Sequence, residues 1–185
     1  FKTRIWCTAF GLLTFAAAVG AVAHGFQMSA RLNRILWQPL NLALGLAIAM
    51  FVVGVVYDRW GQAAAQRALP TLLGVGVVFF LVTVFIPGSV LVFILYEAVA
   101  MLFALVVYIL VAVRGQGAAH RKLPGAWWMV FGVGITILAA VIQALGKTHV
   151  TVIWEFDHNG IFHLVQTIGV LVLTNGLRIA LVTGN

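Results

Sequence analysis

The residues of this chain that could do chemistry are few, and they gather. In WEFDHNGIFHLVQ (Trp154 to Gln166), two acids, two histidines, an asparagine and a glutamine fall within thirteen residues, amid a sequence made mostly of Val, Leu, Ala, Phe and Gly. His24 and Gln27 close an early apolar run, and Glu97 is the only acid well inside any such run. Three nitrogen ligands, or two with a carboxylate, plus a water make a catalytic zinc site. Water on such an ion loses a proton near neutral pH and becomes a nucleophile. The candidate ligands are His24 and His163, with either His158 or Asp157 as the third. Glu97, and Asp157 where it is not a ligand, are the candidate acid–base groups for the bound water. Asn159, Gln166 and Gln27 are candidates to steady the ligands, Gln166 by holding the imidazole ring of His163.

Each of these residues also has a plainer reading. Asp157 or Asn159 can cap a helix that begins here, because Asx side chains accept hydrogen bonds from the first exposed N–H groups. Asn159, His163 and Gln166 are spaced i, i+4, i+7, so on a helix they form one stripe. In hydrocarbon such a stripe must face other helices or a watery cavity, since an unpaired polar group there costs several kcal/mol. His158 and His163 are five residues apart, about 140° around a helix. They could share an ion only if His158 lies before the helix and folds back. A third possibility takes His24 and His163 as the axial pair of a haem b. His120 and His149 read as loop residues.

What positions these groups follows from composition. The chain of 185 residues is 63% hydrophobic and 8% charged, where soluble domains are about a quarter charged. A hydrocarbon core ~30 Å thick takes ~20 apolar residues of helix. Six runs qualify: Ile5–Gln27, Leu36–Tyr57, Leu69–Ile86, Val90–Val113, Trp127–Leu145 and Ile161–Val182. The expected fold is therefore all-α, a single transmembrane domain over 1–185 with six spanning helices. A PGS turn (Pro87, Gly88, Ser89) and the stretches SARLNR, DRWGQAAAQRA, RGQGAAHRKLPG and GKTHVTVIWEFDHN are the expected connections. The short apolar piece Val150–Trp154 is expected in the interface or folded back on the helices. Lys2 and Arg4 before an apolar core, with Ala21-Val22-Ala23 behind it, have the form of a secretory signal. A retained first helix is the reading adopted.

If the runs alternate in direction, Lys2, Arg4, Arg59, Arg67, Arg114, Arg121, Lys122 and Arg178 share one side, and Arg31, Arg34 and Lys147 the other. Short loops rich in Lys and Arg stay in the cytoplasm, so eight against three puts both termini there, in a membrane of the bacterial inner type. The head of the sixth helix then lies outside, level with His24. Glu97, seven residues below Val90, sits roughly 10 Å deep, where a charged carboxylate needs a partner. The net charge of +7 is spread singly between apolar runs, which suits lipid headgroups. No basic patch interleaved with aromatics appears, so nucleic acid is not an expected partner. The single cysteine, Cys7, excludes an intramolecular disulfide and a CxxC metal site. Gly pairs such as Gly74/Gly76 and Gly132/Gly134 suit close helix packing.

A histidine closing an early helix and a histidine cluster opening the last one resemble the alkaline ceramidase and adiponectin-receptor superfamily. FDHNGIFHLVQ is also similar to a signature of bacterial multispanning proteins that carry no assigned activity. The superfamily resemblance implies seven helices and a three-histidine zinc site for amide hydrolysis, helped by a serine and an aspartate. By position, His24 matches the early ligand and His163 a late one. Asn159 stands where the family's HxxxH motif has its first histidine, and Gly20 stands in place of the serine. The function expected from residues and resemblance together is a zinc-dependent membrane hydrolase of a lipid amide or ester. The alternatives are a non-enzymatic bundle (an accessory subunit or small transporter with a structural polar stripe) and a haem b protein. Membrane lipids are the expected partners throughout, with a lipid as substrate or further subunits as companions.

Overall fold

A computed structural model describes residues 1–86, 90–115, 123–146, 150–151 and 155–182. It contains helices α1 (Lys2–Gly25), α2 (Ala30–Trp60), α3 (Gln62–Phe85), α4 (Val90–Arg114), α5 (Ala126–Leu145) and α6 (His158–Val182). All six are long and apolar enough to cross a membrane. Two strands of two residues, β1 (Val150–Thr151) and β2 (Glu155–Phe156), pair antiparallel before α6. The apolar piece at 150–154 thus begins as β1, and its residues 152–154 lie outside the described residues, as does the PGS turn.

Helices run past the apolar segments that announce them. SARLNR, expected as a connection, is the first turn of α2: Ser29 caps it by accepting from Leu32 N at 3.3 Å. DRWGQAAAQRA is also helical apart from Gly61, whose φ of 85° ends α2 and opens α3. Hydropathy marks the length that suits lipid, while Ala, Arg and Gln continue a helix readily into water. Only the positive φ, which a side chain disfavours, interrupts it.

The chain divides into two compact units, Phe1–Tyr96 and Glu97–Asn185. In the first, α1 and α2 pack antiparallel. Trp6 lies over Gly54, where an added Cβ would meet the indole at 2.6 Å, and Leu40 lies against Gly20 at the opposite end. Ile5, Ala9, Met50, Val53 and Ala65 form a core shared by α1, α2 and α3. α2 and α3 meet backbone to backbone at Gly45 and Gly76. Tyr96 stacks on Phe79 with centroids 4.6 Å apart and donates its hydroxyl to the Gly45 carbonyl at 2.9 Å.

In the second unit, α5 and α6 form an antiparallel pair with glycine at each contact. Gly125 touches Gly176, Gly132 touches Leu173, and Gly169 fits over Thr136. Partner numbers rise along α5 as they fall along α6. The α4 segment of this unit buries Glu97, Ala100, Met101, Ala104, Val107, Tyr108 and Val111, spaced as one helical face.

The candidate site at the head of the sixth helix

Asp157 decides how α6 begins. Its Oδ1 accepts from Gly160 N at 2.8 Å and its carbonyl from Ile161 N at 3.0 Å, so it is the N-cap. Of the two capping candidates, Asp157 is the one used. Asn159 does not cap, and His158 is not a residue that folds back from a loop but the first residue of the helix. His158 and His163 therefore leave one helix about 140° apart.

The stripe Asn159, His163, Gln166 is present on α6, and its members fare differently. Asn159 is half-buried, and its Oδ1 accepts from Gln143 Nε2 of α5 at 3.2 Å. Gln166 is half-buried too, with Oε1 out of solvent and without a hydrogen-bond partner among the described residues, as is Gln143 Oε1. His163 is exposed, its ring against Phe162 with centroids 4.9 Å apart, and its carbonyl accepts from Thr167 Oγ1 at 2.7 Å. The difference follows from the seam. Asn159, Gln166 and Leu173 are spaced by seven and continue into Gly176 and Ala180 of the buried face. His163 lies about 60° to the side of Gln166.

The other candidates are placed as follows. His24 is exposed in the last turn of α1, its ring edge-on to Trp37 of α2 at 5.4 Å, and Gln27 is exposed beyond the helix end. One residue before His24, the Ala23 carbonyl accepts from Asn33 Nδ2 at 3.0 Å, which ties α1 to α2. Glu97 is 7% exposed, as its depth in the sequence suggested. The partner that such depth calls for, a histidine or another polar side chain, is not found for it among the described residues. Asp58, in the last turn of α2, is 2% exposed and pairs with Lys2 Nζ at 2.8 Å. Arg59 lies over the Trp60 ring.

Among the described residues no three His, Cys, Asp or Glu side chains group so that they could hold a metal ion. His24 belongs to the first unit, and Asp157, His158 and His163 to the second, where the two histidines leave α6 on different sides. What does converge at the head of α6 is a pair of side-chain amides, Gln143 and Asn159, with Gln166 two turns further along the seam. Amides donate and accept hydrogen bonds but do not exchange protons near neutral pH. Such a seam can hold helices together; it offers no general acid or base. Gln143 escaped the sequence reading. Its signal was there: it is the only side-chain amide in α5, near the end that an antiparallel partner would bring level with Asn159.

A family model described as a family of unknown function (DUF6962) matches residues 1–182. The chain belongs to this family. No curated protein and no solved structure matches it.

Proposed function

We propose that this family member is an integral membrane protein, of the bacterial inner membrane, whose six helices cross the bilayer with both termini in the cytoplasm. Its role is that of a non-enzymatic helical subunit, with apolar outer faces for lipid and companion subunits and a polar seam that fixes helix packing. One observation carries the reading: the polar residues at the head of α6 are spent on structure, Asp157 on the cap and Asn159 on Gln143. The exposure of Leu164, Ile168 and Leu171 on α6 and of Val75, Val78 and Leu81 on α3 supports a lipid-facing surface.

Metal analysis and thermal unfolding of the same washed preparations test it. Asn159→Leu and Asp157→Ala are each expected to lower stability by about 1 kcal/mol, the size of an interhelical hydrogen bond in a membrane and of a lost cap. His24→Ala and His163→Ala should cost less than either and leave the metal content unchanged. About one zinc per chain, released by His163→Ala, would overturn the reading in favour of a hydrolase. Visible haem absorption lost with either histidine would overturn it in favour of an electron carrier.

A further inference from the structure

The last turn of α4 and the start of α5 border a cleft of about 510 Å³, within the second unit, that the polar seam does not use. Val111, Val113, Leu123, Trp127 and Trp128 give it apolar walls, and Arg114 gives it a cation. Trp127 and Trp128 are 52% and 45% exposed. Arg114 is exposed and has no carboxylate partner among the described residues.

The α5 side of the cleft complements that cation. Gly125, at φ 80°, precedes the helix without a side-chain cap, and the first turn holds no acid. Ala126 N donates to the Leu123 carbonyl and Met129 N to that of Gly125. The N–H groups of Trp127 and Trp128 between them have no backbone acceptor among the described residues. One guanidinium, two N–H groups without a backbone acceptor among the described residues and the positive end of a helix dipole suit a phosphodiester anion. The neighbouring indoles suit the glycerol and upper acyl chain, since Trp favours the membrane–water boundary.

We propose that this cleft binds the headgroup of an anionic glycerophospholipid, with Arg114 as its charged contact. The proposal rests on the membrane reading above, under which this end of α4 faces the cytoplasmic leaflet, where eight of the eleven Lys and Arg residues gather. Complementary charge and an apolar wall beside it favour a lipid over a free anion.

Native mass spectrometry of the full chain in micelles tests this, with dioleoyl phosphatidylglycerol and dioleoyl phosphatidylcholine supplied equally. Phosphatidylglycerol should be retained about fivefold better, the effect of one basic residue at an anionic surface. Arg114→Gln should bring the ratio close to one, while Arg67→Gln, an exposed cation of α3, should leave it unchanged. Equal retention of the two lipids, or an Arg114→Gln ratio like that of the parent, overturns the proposal. So does displacement of the lipid by excess inorganic phosphate, which would make the cleft a site for free anions. Alkaline carbonate separates the two levels of the argument. A chain washed off membranes overturns the membrane reading itself, and one that stays but shows no headgroup preference overturns this site alone.

Discussion

Gly45→Ala and Gly76→Ala are each expected to destabilise the protein by about 1–3 kcal/mol, the range found when extra atoms are forced into a packed contact. A Cβ on Gly45 would stand 2.6 Å from the Gly76 carbonyl oxygen and 2.8 Å from Phe79 Cδ1. A Cβ on Gly76 would stand 2.7 Å from the Gly45 carbonyl oxygen. These obstacles are mostly backbone and cannot rotate away, so α2 and α3 must part. Parting them also pulls the Gly45 carbonyl from the Tyr96 hydroxyl. In lipid the loss is felt in full, because helices there are held by close contact rather than by exclusion of water. Gly11 and Gly74 provide the contrast: a Cβ on either meets nothing within 4 Å. Alanine at those positions should be neutral or stabilising by up to ~1 kcal/mol through helix propensity. Unfolding in mixed micelles gives the sign directly. Four alanine variants with the same loss would show that the α2–α3 contact is not close.

Lys2→Met is expected to cost about 3 kcal/mol, because it takes the ammonium away from the Asp58 carboxylate, which is 2% exposed. Lys2 Nζ also stands 5.9 Å from the centre of the Tyr57 ring, beside which Phe1 packs. The pair therefore fastens the start of α1 to the end of α2. Arg4→Met is the control: Arg4 is exposed, so its loss should fall within about 0.5 kcal/mol. Joint replacement, Lys2→Met with Asp58→Leu, should recover most of the stability, since a buried ion pair costs desolvation that an apolar pair avoids. If Lys2→Met is as mild as Arg4→Met, the pair contributes nothing to the fold.

Much of this architecture is legible in the sequence, because a helix long and apolar enough to span a membrane is written in run length. Each of the six apolar runs contains the centre of one helix, and Val90, Leu145 and Val182 are helix ends in both descriptions. The polar ends of α2 and α3 are not legible that way, since Arg, Gln and Ala are good helix formers with no apolar signature. Asp157 and the stripe on α6 were readable as types and spacings, but periodicity alone could not say which member faces a partner. The seam runs through Asn159 and Gln166 and leaves His163 at its side, a rotation of about 60° that only the packing of α5 fixes. The ion pair of Asp58 was not legible for a related reason: Arg59 is its neighbour in sequence, while Lys2, more than fifty residues away, is its neighbour in space.

The central claim is that six helices cross a membrane with both termini in the cytoplasm. Labelling of single cysteines in intact cells by an impermeant maleimide tests it most directly, with Cys7 replaced by serine and cysteine placed at Ala118 or Val152. The account predicts that position 152, between α5 and α6, is labelled from outside, while position 118, between α4 and α5, is labelled only after the membrane is opened. Labelling of both positions from the same side would contradict it.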